Sequence, residues 1–337
     1  MKPERNRIVF FFATLALCLL CSSARRALAV KVWNPVAGEV DLDDESADTP
    51  EDRFRHAAAL ITAGQAKSGI RQLKKLLRKH PEAGWSGKAR YLIGMGYYVR
   101  GKHKKAYRAL ETFVARHPKS ELIEAARQMQ IASAGHRAEK SLNTAINFYD
   151  RLISEAESDE LAAQCQKEKA DAMLRAGRPM RASDAYLTLI DYYPDSSWVP
   201  YAWYRLGECE QTLARRIGRG SEYLDRASRH YKDFLANYPD HEYAPEAKKK
   251  LTEVRKAKAK HYREIAEYYM RSANRPRAAL PYLQTLAEDF NNLPVAKWAS
   301  SEIKKLRQAP LVPLRGSSRP TPLKGVKKQG KNRPERP

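Results

Sequence analysis

The sequence predicts an all-α fold, a right-handed solenoid of about six helix pairs, and three observations carry that prediction. Nearly the same phrase recurs four times: HPEAGWSGKA from 80, HPKSELIEAA from 117, YYPDSSWVPYA from 192 and YPDHEYAPEA from 238. The prolines at its centre, at 81, 118, 194 and 239, lie 37, 76 and 45 residues apart, and the middle interval is two units of 38. The windows 89–118 and 165–194 superpose without a gap, small residue on small residue. A proline lacks the amide hydrogen and its ring crowds the preceding turn. Each phrase therefore reads as helix end, turn and helix start.

Along the chain, Lys2, Arg5 and Arg7 precede IVFFFATLALCLLC, a 14-residue apolar run, and Ala27 and Ala29 stand at cleavage-site spacing. This reads as a secretory signal peptide over 1–29. The run is short of the roughly 20 apolar residues that span a bilayer. Cys18 and Cys21 raise the alternative of a lipoprotein signal, but Leu17 and Leu20 precede them where a small residue is wanted. Cleavage after Ala29 is the expectation, lipidation at Cys18 or Cys21 the alternative and an uncleaved anchor the third.

Residues 39–52 carry eight acidic side chains and no basic one, so 30–51 is expected to be a flexible acidic leader. The last 30 residues hold six prolines, eight Lys or Arg and one Glu, which predicts a basic, disordered tail over 308–337. The folded part is then 52–307.

Within it, residues 89–118 fit the tetratricopeptide pattern. Gly94 and Gly96 are the small positions of a first helix, Gly101 makes the turn, and Ala106 admits a close second helix; Ala170, Ala172, Gly177 and Ala182 repeat this. Residues 52–81 offer Ala57, Ala59, Gly64 and Gly69, and 127–157 offer Ala132, Ala134 and Ala145 without a turn glycine or closing proline. The fifth unit, 202–239, has Gly207, Cys209 and Ala227 with about eight extra residues around RRIGRGSE, and a sixth is expected over about 259–291. One helix pair cannot bury its own apolar face, so neighbours stack and form a concave groove.

The net charge is +23, and the first 29 residues hold five basic and one acidic side chain, which leaves about +19 for the rest. In the cytosol such a charge would suggest nucleic acid. Export argues against it, and anionic lipid, lipopolysaccharide or a cell-wall polymer are the polyanions available outside. Cys165 and Cys209 fall at small-residue helix positions out of register and read as buried free thiols.

GYYVRGKH, 96–103, approaches the phosphate-loop pattern, but His103 replaces the hydroxyl that would hold magnesium and both glycines already serve a helical hairpin. His80 and His117 share a repeat position with Tyr193, Tyr238 and Phe290 and read as aromatic fillers before the turn, not metal ligands. No nucleophile, paired-carboxylate or zinc motif appears. The chain reads as a binding protein without cofactor, metal or catalytic residue.

Binding surface is sought on the first helices. Phe54 and Ile61, then Lys88, Tyr91, Met95 and Tyr98, then Tyr201 and Tyr204 stand at positions where aromatic and methionine side chains would anchor an extended peptide or else pack between repeats. The segment AKKKLTEVRKAKAKHYR, 247–263, has eight Lys or Arg and one Glu; Lys249, Lys256 and Lys260 are its candidates for an anionic membrane surface, against the reading of a solvated helix face.

The joint wording, the unit of 37–38 residues and the stretch FLANYPDHEYAPEAKKKLTEVRKAKAKHYREIAEYYMRSANRPRAALPYLQTLAEDFNN resemble the outer-membrane assembly lipoprotein BamD family over about 52–307. In that family the last repeat begins with an alanine and paired tyrosines, here Ala266, Tyr268 and Tyr269. Asn291 stands where a closing proline falls, and a basic tail follows. The resemblance implies a periplasmic, outer-membrane-associated adaptor that holds a barrel-assembly subunit through its C-terminal repeats, 202–307. A soluble periplasmic scaffold for envelope or cell-wall proteins is the alternative.

Overall fold

The computed structural model describes residues 31–41, 49–217, 221–272 and 276–308. The expected signal peptide with Cys18 and Cys21, residues 42–48 of the leader and the tail from 309 lie outside the described residues. The chain divides into two units, 1–185 and 186–337, and the division falls within one helix.

The described part of the first unit starts with a β-hairpin, β1 (Lys31–Asn34) against β2 (Gly38–Asp41), antiparallel with Val32 opposite Val40 and Trp33 opposite Glu39. Asn34 explains why it forms. Its fully buried carboxamide accepts from the amides of Val36 at 2.8 Å and Ala37 at 3.0 Å, which shapes the turn, and donates to the Ala58 carbonyl at 3.0 Å. That last bond pins the hairpin to α1 (Pro50–Thr62). Helix α1 starts where Thr49 accepts the Asp52 amide at 3.1 Å, with proline at the first turn and Glu51 and Asp52 facing the positive end of the helix dipole. Within the leader expected over 30–51, residues 31–41 thus form a hairpin and Pro50 and Glu51 begin α1. Composition suggested otherwise because one buried asparagine outweighs several exposed carboxylates.

Seven further helices follow as antiparallel partners: α2 (Ala66–Lys79), α3 (Ser86–Val99), α4 (His103–Arg116), α5 (Ile123–Ala138), α6 (Leu142–Ser154), α7 (Asp159–Arg175) and α8 (Pro179–Tyr192), the last carrying the division. In the first unit each first helix packs on its own partner and on the first helix of the next pair, α1 on α3, α3 on α5 and α5 on α7. This is the stacking of tetratricopeptide repeats. The recurrent phrase is the joint: the amide three residues beyond each aromatic returns to its carbonyl, Ala83 to His80 at 3.4 Å and Ser120 to His117 at 3.1 Å, with Ser196 to Tyr193 at 3.0 Å and His241 to Tyr238 at 3.3 Å in the second unit. Within pairs, Gly101 and Gly177 adopt φ of 65° and 70°, which side chains resist. There the Lys102 and Arg178 amides reach back to the Tyr97 and Met173 carbonyls, both at 2.9 Å, and close the helix end.

Small residues sit where helices approach. A methyl group on Gly94 would meet Leu110 at 2.5 Å, and Ala106, Ala145 and Ala182 are fully buried. Four residues beyond the small position of each second helix stands a fully buried large side chain: Leu73, Leu110, Tyr149, Tyr186 and Tyr231.

The second unit contains α9 (Val199–Ile217), α10 (Ser221–Asn237), α11 (Ala244–Ser272), a short 3-10 turn (Pro276–Ala279), α12 (Leu280–Glu288) and α13 (Pro294–Gln308). The insertion around RRIGRGSE lengthens both α9 and α10. The core of the sixth pair, expected over about 259–291, joins Ala259 and Ala266 to Ala279, Leu283, Leu286 and Phe290; these two alanines stand on the second half of the 29-residue α11, whose first half packs through Ala244, Ala247 and Val254 on α10. After Phe290 the Leu293 amide returns to its carbonyl at 2.8 Å, so the joint survives with Asn291 in the proline's place, and α13 packs on α12 through buried Ala299. Cys165 and Cys209 are buried and free, and burial pushes the Cys165 thiol up to about 12.

Candidate functional site

The candidate groove residues of the first unit divide sharply. Phe54 is buried and stacks on Trp85 at 5.3 Å with planes 13° apart; Tyr91 is buried edge-on to Phe113, and Met95 and Ile61 lie in the same core. Burial raises the Tyr91 hydroxyl pKa. These side chains pack between repeats, which leaves no surface for a partner. Exposed Lys88 and half-buried Tyr98 remain. Lys88 borders a pocket of about 390 Å³ with Trp85, Phe54 and the hairpin residues Val36 and Ala37.

In the second unit Tyr204 is buried, stacked on Tyr243 at 5.0 Å, and donates to Glu208 at 3.3 Å. Tyr201 is half-buried among Tyr186, Trp198 and Tyr243, with the Arg205 guanidinium 5.6 Å above its ring. Lys249, Lys256 and Lys260 are exposed on α11, as a surface role requires. Much of that helix's charge is nonetheless matched: Lys250 lies within 4.0 Å of Glu246 and Glu253, Lys258 pairs with Asp225, Lys260 with Glu264 at 3.8 Å, and Arg263 and Arg271 with Glu267.

Sequence reasoning missed the groove that the structure builds from α2, α3 and α4. It encloses about 700 Å³ and is lined by Lys67, Arg71, Lys74, Arg78 and Arg90 around Ile70, Leu77, Ile93, Tyr97 and Ala109, with Thr112 at the edge. Lys74 donates to the Tyr97 hydroxyl at 2.8 Å and lies 5.2 Å from its ring centre. Burial and neighbouring Arg116 lower the Arg90 pKa, and its Nε is buried without a partner. The signal available beforehand was AKSGIRQLKKLLRK, six cations without one acid.

The phosphate-loop resemblance dissolves in the same region. Gly96 lies inside α3, 2.9 Å from Ile70 on an added methyl group, and Gly101 closes the helix, so no strand precedes the glycine turn. His117 stacks on Phe113 at 5.7 Å and His80 lies edge-on to Trp85 at 6.4 Å. Among the described residues no three His, Cys, Asp or Glu side chains gather as metal ligands.

His103, first residue of α4, stacks on His136 of α5 with centres 4.5 Å apart, and Tyr98 packs edge-on at 5.3 Å. Burial, then His136 and Lys140, lower the His103 pKa against a smaller opposing effect of Glu139. Burial first lowers His117 and His230 as well. The unfolded chain therefore takes up these protons more readily than the folded one, so stability is intact above the ordinary histidine pKa of about 6.5 and is lost as pH falls below it. The melting temperature is expected to drop between neutral pH and pH about 5, with a smaller drop in His103→Gln. An unchanged drop would place the sensitivity elsewhere.

The profile of the YfiO family, described as outer membrane lipoprotein, matches residues 46–216 and 136–305. The chain belongs to the YfiO family. This is the BamD-like family, and its repeats make the chain a protein-interaction scaffold. No curated protein matches. Among solved structures, a tetratricopeptide repeat protein from Parabacteroides merdae is 16% identical over 76% of this chain and 96% of its own, with a TM-score of 0.39. A putative kinesin light chain of Podosopora anserina with nearly identical repeats is 13% identical over 58% and 100%, with a TM-score of 0.34. The apo quorum sensor NprR of B. thuringiensis is 15% identical over 77% and 75%, with a TM-score of 0.35. No helix among the described residues of this YfiO-family chain is long and apolar enough to cross a membrane.

Proposed function

We propose that the chain is an exported scaffold of outer-membrane β-barrel assembly, active at the periplasmic face, which holds a barrel-assembly subunit through residues 202–307. The observation that carries this reading is the YfiO-family match, which runs from the first helix pair into α13. Within 202–307, Tyr268 supplies the contact chemistry: it is 61% exposed, while its neighbour Tyr269 is held by stacking on Tyr282 at 5.7 Å. An exposed tyrosine on a rigid helix is the kind of side chain that dominates binding energy. Lys249, Lys256 and Lys260 speed encounter rather than tighten the complex, because exposed charges act over about 8 Å at physiological salt. Purification of the tagged full chain from solubilised envelopes is expected to recover a barrel-assembly subunit, and Tyr268→Glu to weaken that capture about tenfold or more. Recovery of no such subunit would overturn the function; undiminished capture by the double variant of Tyr268→Glu and Ile217→Glu, the latter removing a second exposed apolar side chain within 202–307, would overturn its placement.

A further inference from the structure

Helix α2 places charge where helix stability does not ask for it. Ala66, Ile70, Leu73 and Leu76 are buried, while Lys67, Arg71, Lys74, Lys75, Arg78 and Lys79 are exposed, with no acidic side chain in the first turn. Lys67 in that first turn opposes the helix dipole. A rule broken without structural return marks a functional surface.

The groove between α2, α3 and α4 shows what such a surface could hold. No carboxylate lines it, and none of its five cations enters an ion pair among the described residues; Glu82 acts on Arg90 from outside the lining. Its only uncharged polar side-chain atoms are already engaged, Tyr97 Oη accepting from Lys74 and Thr112 Oγ1 donating to the Arg108 carbonyl at 2.9 Å. The groove thus offers donors and almost no acceptors over an apolar floor of Ile70, Leu77, Ile93 and Ala109. An extended peptide presents as many N–H groups as carbonyls and would leave its donors unmatched there. A phosphate is acceptor-rich and anionic, and an acyl chain covers apolar floor. Helix α11 is as basic in sequence, but carboxylates already face Lys250, Lys258, Lys260, Arg263 and Arg271.

We propose that this groove seats the phosphate and the first acyl carbons of an anionic phospholipid at a membrane surface. Arg71, Lys74 and Arg78 hold the phosphate, and Ile70, Ile93 and Leu77 take the chain. The inference stands apart from the barrel-assembly reading, since it concerns the first unit.

The test uses the full chain and vesicles of phosphatidylcholine with and without phosphatidylglycerol. Cosedimentation with the phosphatidylglycerol vesicles is expected, and Arg71→Gln/Lys74→Gln/Arg78→Gln should weaken it on the order of 10- to 100-fold, since each cation near an anionic surface contributes. All three positions are exposed, so the variant folds; unchanged circular dichroism and undiminished capture of the barrel-assembly subunit check this. Lys249→Gln/Lys256→Gln/Lys260→Gln removes the same charge and should lose less than threefold. Equal losses in the two variants would overturn the site in favour of bulk charge, and no binding by the parent chain would overturn it outright. Monomeric dihexanoyl phosphatidylglycerol should bind at least tenfold more tightly than glycerol phosphate. Equal affinity would mean that a free phosphate suffices, and preference for an acidic peptide over the lipid would replace the occupant; either result overturns the proposal.

Discussion

Alanine at position 69 is expected to destabilise the first unit and alanine at 135 to stabilise it, although both replace a glycine inside a helix. By propensity alone each change should add about 1 kcal/mol. At Gly69 the new methyl group would stand 2.6 Å from the Ala57 carbonyl oxygen and 2.7 Å from Ile61 Cγ1. Backbone cannot swing aside as a side-chain tip can, so α2 must move off α1. Overpacking of that kind outweighs the propensity gain and leaves a net loss of about 2 kcal/mol, or roughly 4–8 °C in melting temperature. At Gly135 the methyl group meets only Tyr149 Oη, at 3.4 Å, an ordinary contact. There the propensity gain stands, and a rise of about 2–4 °C follows. Thermal unfolding of both variants checks this; equal shifts would mean that the two helices do not touch where described.

The same contact logic explains how much of the fold was legible. Proline phrases and small-residue registers are local signals of long-range packing, because a close helix approach demands a small side chain wherever it occurs. They point to the helix pairs, and the four proline phrases mark the joints after the first, second, fourth and fifth of them. The hairpin was not legible. Its strands are four residues each, and what orders them is the bond from Asn34 to Ala58, 24 residues on, which no local pattern encodes. The repeat period places the sixth pair from about 259, where its core begins on α11, while the helix itself runs unbroken from Ala244.

The candidate sites were less legible than the fold. Phe54, Tyr91, Met95 and Tyr204 are apolar residues on first helices, and in a stacked array such helices pack on their own partner and on the next first helix. Hardly any apolar position is left over, so aromatic character alone could not distinguish anchor from core. The basic groove escaped for a related reason. The cations of α2 read singly as a solvated face; only the fold brings Arg90 and Tyr97, some 20 residues later, against them in a groove that no carboxylate lines. A site whose meaning lies in what is absent around it is visible only in three dimensions.

Glu155→Gln is expected to destabilise the first unit by about 1–3 kcal/mol. Arg127 begins the third repeat window, and its guanidinium is only 5% exposed, donating to the Glu155 carboxylate and carbonyl, both at 3.2 Å, and to Gln130 at 3.4 Å. It ties α5 to the end of α6. Removing the carboxylate strands a buried cation, which costs about 3–5 kcal/mol where both partners are buried. The Glu155 side chain is 39% exposed, so water recovers part of that. Arg127→Met removes the charge instead, yet it leaves the oxygen of fully buried Gln130 accepting no hydrogen bond, while its Nε2 already donates none. Adding Gln130→Leu removes that stranded amide. The double variant should therefore be more stable than Arg127→Met alone, an inversion of the usual sum of two core substitutions. Urea midpoints measure the order. A double variant less stable than the single one would mean that Gln130, rather than the ion pair, holds this junction of repeats together.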